Sequence, residues 1–360
     1  MYKYIVTKKS NIKQKSKLTV FVGMSGGVDS SVSAMLLKQK GYNVVGVFIK
    51  TWHPSFIECN EEEERLDAMR VAAFLDIPFL TLDLEEVYKK GVADYMISEY
   101  KLGRTPNPDV MCNKEVKFGA FLDFALAKGA DFVATGHYAR NINGYLYKGI
   151  DPSKDQSYFL WTLNNKQLNN ILFPIGDLEK TKVRALAQKN KLPVSTKKDS
   201  QGICFLGDID IKDFLKHYIK EKKGKVLNEH GEEIGYHQGV LFYTLGERHG
   251  FVINKKTSND SRYYIIKKDI PNNVLIVSNN KYINPNKEII INQLNNIEDF
   301  KEDKIYDMQV RYHGELIKTK LLKQNKNEVK LLPESEVLVA SGQSVVIYLK
   351  DKLILAGIVK

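Results

Sequence analysis

The glycine- and serine-rich run GMSGGVDSS, residues 23–31, is the segment near the start of the chain that is best suited to chemistry. It follows a short apolar run, residues 18–22, and opens a predicted helix that Gly41 ends. A glycine-rich turn between a strand and a helix brings free backbone N–H groups and the positive end of the helix dipole to one point, where they can hold phosphate oxygens. The run lacks the Gly-Lys-Ser/Thr ending of a Walker A loop and the Gly-x-Gly-x-x-Gly of a dinucleotide fold. It predicts a different phosphate loop, or else an ordinary glycine turn in which Asp29 caps the helix.

The chain has three cysteines, Cys59, Cys112 and Cys204, and an odd number in a long chain argues against a secreted protein built on disulfides. Cys112 and Cys204 lie in polar, loop-like segments, and Lys114 follows Cys112 where a helix is predicted to begin. Cationic neighbours and helix N-termini make a thiolate more reactive. Each of the two could be a catalytic thiol, although a lone cysteine is more often a small buried residue. We expect Cys59 to be structural.

No metal site is predicted in this chain. It has no Cys-x-x-Cys pair, and its histidines lack the spacing of a zinc site: His137, His237, His249 and His313. The chemistry suggested by the residues therefore rests on the phosphate loop and the thiols.

The loop and the first cysteine segment fall in a stretch where apolar strands alternate with helices. Strands are predicted at residues 18–22, 44–49, 79–82 and 132–135. Helices are predicted after the loop up to residue 40, at 61–75, at 85–100 and up to residue 128. This β-α-β order predicts an α/β domain with a parallel sheet at residues 18–207.

Beyond residue 207 the pattern changes. One helix is predicted at 209–222 and glycines then accumulate, which predicts a small mixed α/β module at 208–272. Short strand-like runs follow at 289–291, 315–322, 329–332 and 344–348. Strands at this spacing predict a closed β-barrel at 273–360.

The charge of the chain points to a polyanionic partner. Its 360 residues include 54 Lys and Arg against 43 Asp and Glu, a net charge of +11, although a lysine-rich composition alone could give the same excess. Part of the excess lies in residues 1–17, which contain lysines and no acid and are predicted to form a flexible basic leader. No apolar run approaches the length of a membrane span and no signal peptide is recognisable, so we expect a cytoplasmic protein that does not engage a membrane.

Six motifs, taken together and in this order, resemble the tRNA-specific 2-thiouridylase family over almost the whole chain, from about residue 19. They are the loop at 23–31, TPNPDVMCNK at 105–114, TGHYAR at 135–140, KDQSYFL at 154–160, SQGICF at 200–205 and YTLG at 243–246. The resemblance implies an ATP-pyrophosphatase type of parallel-sheet domain, followed by a central module and a β-barrel that both bind tRNA.

The resemblance also implies a reaction. Enzymes of this family adenylate the C2 oxygen of the wobble uridine, position 34 of the tRNAs for Lys, Glu and Gln, and replace it with sulfur from a cysteine persulfide, releasing AMP and pyrophosphate. The implied cofactors are ATP and the Mg²⁺ that accompanies it. The implied partners are tRNA and a sulfur donor, either a cysteine desulfurase or a sulfur-relay protein.

Site residues follow from the matching motifs. By resemblance, Cys204 carries the persulfide, Cys112 is the nucleophile that completes sulfur release through a transient Cys112–Cys204 disulfide, and Asp109 is an acid/base residue near the uridine. From the residues alone, Asp109 could equally be a turn former after Pro108. The implied ATP-binding residues are Gly23, Met24, Ser25, Gly26, Gly27, Val28, Asp29, Ser30, Ile49 and Gly136. The implied tRNA-binding residues are Asn107, Pro108, Asp109, His137, Lys154, Asp155, Gln156, Arg311, Tyr312 and Gln343.

The sequence departs from the family's pattern in its C-terminal half. The usual TIGQRKG run appears as TLGERHG at 244–250, with Glu247 in place of an amide and His249 in place of a lysine. The segment before Gln343 lacks the customary proline. These departures concern tRNA contacts rather than the chemistry, because the loop and both cysteines are intact.

Two other functions compete with this interpretation. The first is an amide-forming ligase with the same type of loop, similar to argininosuccinate or GMP synthetases, which would need neither two loop cysteines nor a C-terminal barrel. The second is a non-catalytic RNA-binding protein, which a degraded loop or a missing cysteine would favour. Neither of those defects is present in the sequence.

Overall fold

The structure is a computed structural model that describes residues 18–57, 60–199, 202, 204, 207, 210–254, 262–283 and 285–360. The basic leader at 1–17 and Cys59 lie outside the described residues. Within these ranges, every helix is too short or too polar to cross a bilayer.

The N-terminal part is built on a parallel sheet, as the β-α-β pattern predicts. Its strands and those of a following hairpin are, in chain order, β1 Thr19–Gly23, β2 Asn43–Lys50, β3 Phe79–Asp83, β4 Phe132–Ala134, β5 Ala139–Ile142, β6 Tyr145–Lys148 and β7 Ile171–Leu172. The sheet order is β3-β2-β1-β4-β7, with every pair parallel. β1 is apolar throughout its middle because helices cover both faces of the sheet.

Each predicted helix corresponds to one or more helices of the structure, several of them shorter. The helices are α1 Val28–Gln39, α2 Glu61–Phe74, α3 Glu85–Tyr88, α4 Tyr95–Lys101, α5 Pro108–Met111, α6 Phe121–Ala127, α7 Asn165–Leu168, α8 Lys180–Lys189 and α9 Ile211–Lys216, of which α7 and α8 were not predicted. A π-helical turn, Lys89–Asp94, joins α3 to α4, and a π-helical segment, Cys112–Ala120, joins α5 to α6. The predicted helices at 85–100 and up to 128 are therefore continuous but contain π-helical turns, which are frequent at functional sites.

The predicted helix at 209–222 is wrong in its length. α9 ends at Lys216, and the backbone N–H of Lys222 already donates to the carbonyl of Gln238. In a helix continued to residue 222, this N–H would bond to the carbonyl four residues earlier, so the helix has to end before the chain enters the central sheet.

The central module is mainly a β-sheet with the order β10-β9-β8-β12-β11. Its strands are β8 Gly224–Leu227, β9 Glu233–His237, β10 Val252–Ile253, β11 Tyr264–Asp269 and β12 Val274–Ser278. β8 and β12 run parallel, and the other pairs are antiparallel. Val274–Ser278 thus belongs to the central sheet rather than to the barrel that follows.

The C-terminal part is a closed six-stranded antiparallel barrel, which confirms the predicted architecture. Its strands are β13 Ile289–Asn296, β14 Ile305–Gln309, β15 Ile317–Asn325, β16 Glu328–Pro333, β17 Ser344–Leu349 and β18 Lys352–Val359. Pairing of β13 with both β16 and β18 closes the barrel. The hairpin β5–β6 leaves the parallel sheet and joins β18 through Tyr147 and Lys352, an extension that the predicted strand pattern did not include.

The three parts meet around the segment before α5. The ammonium group of Lys268 donates to the carbonyls of Gly103, at 3.0 Å, and Tyr243, at 2.6 Å. The backbone N–H of Thr105 donates to the carbonyl of Ser341 at 2.9 Å. The loop that leads to Asp109 and Cys112 is thus held by both the central module and the barrel.

Candidate active site

A cleft of about 1130 Å³ opens at the carboxyl ends of the parallel strands. Here the chain order places β2 and β4 on opposite sides of β1, and such a switch point is where open α/β sheets bind ligands. The wall of the cleft also includes Phe214 and His217 from the central module and Tyr312 from the barrel. All three parts of the chain therefore contribute to one site.

The predicted phosphate loop forms one end of this cleft. Gly26 has a φ of +71°, and a Cβ there would collide with the backbone oxygen of Glu64. The Ser30 hydroxyl accepts a hydrogen bond from the backbone N–H of Ser25 at 3.3 Å, which closes the turn at the start of α1. Most of the predicted ATP-binding residues line the cleft: Gly23, Met24, Ser25, Gly27, Val28, Asp29, Ser30, Ile49 and Gly136.

Gly136 lies directly against the loop. A Cβ on Gly136 would lie 2.7 Å from the backbone nitrogen of Ser30 and 2.8 Å from the carbonyl carbon of Asp29. Only glycine permits this approach, so the end of β4 and the start of α1 form one continuous wall.

The Asp29 carboxylate is held by partners that the sequence did not reveal. It accepts hydrogen bonds from the Tyr138 hydroxyl at 2.8 Å and from the Lys180 ammonium, at 2.8 Å to each oxygen. Lys180 also forms an ion pair with Asp199 at 2.8 Å. Lys154 reaches the same carboxylate of Asp199 at 3.0 Å. A lysine in a helical pattern carries no signal for such a role, which explains why sequence reasoning missed Lys180.

At the other end of the cleft, Cys204 lines the wall and Cys112 is its buried neighbour. The Cys112 thiol donates a hydrogen bond to the sulfur of Cys204 at 3.4 Å, although the residues are far apart in the chain. The Asp109 carboxylate accepts from the backbone N–H of Cys204 at 2.9 Å, and the Tyr88 hydroxyl donates to the carbonyl of Cys204 at 2.9 Å. Cys112 is buried and Cys204 is half-buried. The structure thus brings the three predicted catalytic residues together.

Charge near the thiols makes them chemically different. The hydrogen bond from Cys112 and the nearby Lys117 ammonium lower the pKa of the Cys204 thiol to about 7. They do so although burial by itself raises this pKa. Burial raises the pKa of the Cys112 thiol, and the hydrogen bond to Cys204 adds to that rise. Burial also raises the pKa of the Asp109 carboxyl. Cys204 is therefore the thiolate of the pair near neutral pH, and Cys112 is the proton donor.

The local sequence explains how Asp109 and Cys112 are positioned. The Asn107 side chain caps α5, accepting from the backbone N–H groups of Asp109 at 3.1 Å and Val110 at 3.2 Å, with Pro108 at the first helical position. The π-helical segment then begins at Cys112. Since backbone hydrogen bonds in a π-helix span five residues, Cys112 and Lys117 lie on the same side of the segment.

Aromatic side chains line the middle of the cleft, where the resemblance implies the target base. Tyr312 packs against Phe159 with ring centroids 4.3 Å apart. His137 is buried, with Nδ1 2.7 Å from the Thr135 hydroxyl and its ring near Phe118. Burial lowers the pKa of His137 well below its ordinary value, so the ring is neutral. Lys154 and Gln156 also line the cleft.

The remaining predicted tRNA-binding residues hold elements in place. The Asp155 carboxylate accepts from the backbone N–H groups of Gly149 at 2.9 Å and Ser157 at 3.1 Å. Arg311 donates to the carbonyl of Leu245 at 2.8 Å, which ties the barrel to the central module. Gln343 accepts from the backbone N–H of Ala340 at 2.8 Å.

Glu247, the acid that replaces an amide of the family pattern, has local partners. It forms an ion pair with Lys212 and accepts from the backbone N–H of Thr244 at 3.1 Å. His249 is 79% exposed in its side chain and lies 3.8 Å from Glu247. The substitution at 247 is therefore accommodated by Lys212.

Family models match the chain in three consecutive stretches. They are described as tRNA methyl transferase HUP domain, residues 18–208, tRNA methyl transferase PRC-barrel domain, residues 212–279, and Aminomethyltransferase beta-barrel domain, residues 275–359. Among solved structures, the chain resembles U34-tRNA thiolase NcsA from Methanococcus maripaludis at 18% identity and a TM-score of 0.36, over 57% of this chain and 68% of that one. A likeness at that level carries no inference.

Curated relatives are much closer to this chain. It is 46% identical over 275 residues to tRNA-specific 2-thiouridylase MnmA from Streptococcus equi subsp. zooepidemicus (strain H70), covering 74% of each protein. It is 47% identical over 269 residues to the protein of the same name from Enterococcus faecalis (strain ATCC 700802 / V583), covering 73% of this chain and 72% of that one. The resemblance found in the sequence motifs is confirmed, and the chain belongs to the tRNA-specific 2-thiouridylase family of sulfurtransferase enzymes.

Proposed function

We propose that this enzyme uses ATP to adenylate the C2 oxygen of the wobble uridine, position 34, in the tRNAs for Lys, Glu and Gln, and then replaces that oxygen with sulfur from a persulfide on Cys204. One observation carries the proposal: the phosphate loop and Cys204, whose sulfur contacts that of Cys112, line the same cleft. Nucleotide chemistry and sulfur chemistry can therefore act on one base without its leaving the site.

The first step is activation of the base. The C2 oxygen of uracil is a poor leaving group, so the oxygen attacks the α-phosphorus of ATP, the bond to the β-phosphate oxygen breaks, and pyrophosphate leaves. The N–H groups of residues 25–30 and the start of α1 hold the phosphates. ATP is proposed to arrive as its Mg²⁺ complex, and Asp29 is the carboxylate of the loop that could approach the metal.

Asp109 is suited to receive the proton that this step releases. Adenylation of the oxygen removes the proton from N3 of uracil, and a buried carboxylate with a raised pKa is a better base than an ordinary one. The proton returns to N3 when the thiocarbonyl forms. The backbone N–H of Cys204 keeps the carboxylate beside the sulfur chemistry, at 2.9 Å.

The second step is sulfur transfer. The terminal sulfur of the Cys204 persulfide attacks C2, the C2–O bond breaks and AMP leaves, so that a disulfide links Cys204 to the base. Cys112, having lost its proton, attacks the sulfur of Cys204. The old S–S bond breaks, its electron pair stays on the sulfur at C2 as 2-thiouridine, and a Cys112–Cys204 disulfide forms. A thiol reductant must reopen this disulfide before the next cycle.

Base access and tRNA affinity are proposed to come from the cleft wall and the charge of the chain. The wobble base must leave the anticodon stack, and rings such as Tyr312 and Phe159 provide a surface on which it can stack. The net charge of +11 favours the tRNA backbone. The proposed sulfur donor, a cysteine desulfurase or a relay protein, passes a sulfane sulfur to the Cys204 thiolate.

The test is mass spectrometry of nucleosides from glutamate or lysine tRNA after incubation with enzyme, ATP, Mg²⁺ and a persulfide source. We expect 2-thiouridine at position 34 with an equal amount of AMP, and none when ATP is omitted. AMP release without thiolation under several donors would contradict the proposal and favour a small-molecule ligase.

Cysteine variants test the sulfur step in the same assay. Cys112→Ser and Cys204→Ser are each expected to abolish thiolation while pyrophosphate release survives. Cys59→Ser, which changes the cysteine that has no predicted catalytic role, is the matched control and is expected to thiolate normally. Normal thiouridine levels in either of the first two variants would disprove the persulfide mechanism.

A further inference from the structure

We propose that the side-chain oxygen of Asn113 selects uridine at the wobble position by accepting a hydrogen bond from N3–H of the base; this inference rests on the proposed function. Asn113 follows Cys112 in the π-helical segment, and it is only 2% exposed. It nevertheless lines the same cleft as Cys204. A buried amide therefore lies in the wall of the cleft beside the proposed sulfur chemistry.

The amide nitrogen of Asn113 fixes the orientation of this side chain. Nδ2 donates to the backbone carbonyl of Asp109 at 3.0 Å and to that of Phe159 at 3.3 Å. If the amide were turned over, its oxygen would face these two carbonyl oxygens, and three acceptors would meet without a donor. The amide therefore has one favourable orientation, in which Oδ1 lies on the side away from both carbonyls.

The amide oxygen of Asn113 has no donor of its own. Oδ1 is buried, and among the residues that the structure describes none donates a hydrogen bond to it. Leaving a buried acceptor unpaired is costly, and such an atom in a native protein calls for an explanation. Because Asn113 lines the cleft, the missing donor can come from a molecule that binds there.

The chemistry of the base identifies that donor. A flipped base is recognised by hydrogen bonds to its Watson–Crick edge, where uracil carries one donor, N3–H, between the oxygens at C2 and C4. Sulfur transfer requires C2 to lie beside Cys204, and N3 is bonded directly to C2. Cytosine has a lone pair at N3 and would place an acceptor against the amide oxygen. A site that hydrogen-bonds to a donor of its substrate strongly rejects an analogue that lacks this donor.

Asn113 and Asp109 have different tasks at N3. An amide oxygen is not a base at neutral pH, so Asn113 can accept a hydrogen bond from N3–H but cannot remove the proton. Asp109 remains the proposed base, and the two residues are linked because the Asp109 carbonyl accepts from Nδ2 of Asn113. Asn113 is thus a specificity-determining residue, which orients the base before Asp109 takes the proton.

The test measures Kd by fluorescence anisotropy for anticodon stem-loops of glutamate tRNA that carry uridine or cytidine at position 34, without ATP so that no reaction occurs. The full-length proteins are wild type, Asn113→Leu and Asn60→Leu. We expect the wild type to prefer uridine, and this preference to fall about 10-fold in Asn113→Leu, because one hydrogen bond to a buried acceptor is lost. Asn60 is exposed and lines the same cleft, so Asn60→Leu should keep the wild-type preference.

The ratio of the two Kd values separates base recognition from a structural role. If Asn113 only joins the carbonyls of Asp109 and Phe159, Asn113→Leu will weaken the binding of both stem-loops equally and lower the melting temperature. An unchanged ratio would therefore overturn the assignment.

A stem-loop with 3-methyluridine at position 34 tests the same contact without changing the protein. Its methyl group replaces the N3 proton, so the wild type is expected to bind it at least about 10-fold more weakly than the uridine stem-loop. Equal binding would overturn the assignment whether or not Asn113→Leu folds. A wild type that binds none of these RNAs would instead contradict the proposed function itself.

Discussion

Cys204 is the residue whose chemistry depends most on its surroundings. Its thiol accepts a hydrogen bond from Cys112 and lies beside the Lys117 ammonium. These two interactions outweigh the effect of burial and lower the pKa of the thiol to about 7. A thiolate is the form that accepts a sulfane sulfur from a donor. A larger fraction of Cys204 is therefore in the reactive form at neutral pH than of an ordinary cysteine.

The reactivity of Cys204 should follow this pKa. We expect the rate of alkylation of Cys204 by iodoacetamide, measured by peptide mass spectrometry on reduced protein, to rise with pH with a midpoint near 7. Lys117→Met removes the nearby positive charge, so the thiolate is less favoured and the midpoint should move up by about one pH unit. Lys114→Met is the control, since Lys114 is exposed and paired with Glu115. An unchanged midpoint in Lys117→Met would show that Lys117 does not stabilise the thiolate.

The sequence motifs predicted some residues of this site, and there is a physical reason why they did not predict the others. The motifs around residues 23–31, Cys112 and Cys204 are contiguous and could be read from the sequence. Lys117, Lys180 and Asp199 act through partners brought close by the fold, as when the Lys180 ammonium meets Asp29 from another part of the chain. Nothing in the local pattern distinguishes such residues from an ordinary charged surface residue.

At the scale of single elements, the π-helical segment Cys112–Ala120 sets the geometry of the thiol pair. It joins α5, which carries Asp109, to α6, and Val116 and Phe118 anchor it in the core. The sequence predicted a helix here, but not its wider turns. Those turns depend on tertiary packing, and the spacing of apolar residues along the sequence does not predict it.

Gly119 makes the π-helical segment sensitive to a single methyl group. A Cβ there would lie 2.7 Å from the backbone oxygen of Lys114, and a backbone atom cannot move aside cheaply. We expect Gly119→Ala to lower the free energy of unfolding by about 1–3 kcal/mol and to slow thiolation, because the segment that carries Cys112 must shift. Urea unfolding and the thiolation assay measure the two effects.

Gly91→Ala is the matched control for Gly119→Ala, because Gly91 lies in the other π-helical turn. Its Cβ would meet the Cβ and Cγ of Glu115 at 3.0 Å, a looser contact than the one at Gly119, which a shift of a few tenths of an ångström relieves. The gain in helix propensity of alanine over glycine offsets part of that contact. We expect stability within about 1 kcal/mol of wild type. Equal losses in both variants would contradict the role given to the Lys114 oxygen.

At the scale of the whole molecule, the site exists only because three parts of the chain meet. The alternation of strands and helices and the short C-terminal strands predicted the parallel sheet and the barrel. The junctions were not predictable, because they are made by single contacts such as Thr105 to Ser341 and by the hairpin β5–β6, which pairs with β18. A strand's pattern of apolar residues specifies its buried faces but not which distant strand it will join.

Lys268 is the junction residue whose titration can be measured. Burial lowers its pKa to about 8, while its ammonium donates to the carbonyls of Gly103 and Tyr243. In the unfolded chain the pKa returns to about 10.5. Between pH 8 and 10.5 the unfolded state therefore binds more protons than the folded state, and linkage requires that stability rise with pH across this range.

This linkage predicts how Lys268→Met compares with the wild type in urea unfolding between pH 7 and 10.5. Below pH 8 the wild type bears the full cost of burying a charge, and that cost disappears as the lysine deprotonates. The stability of wild type relative to Lys268→Met should thus increase with pH, by up to about 3 kcal/mol over the whole range. Lys267→Met, at an exposed neighbouring position, should show no such trend. If the difference in stability between wild type and Lys268→Met did not change with pH, the Lys268 ammonium would be as well solvated at the junction as in the unfolded chain. The contact between the central module and the loop that leads to Asp109 would then not be a buried one.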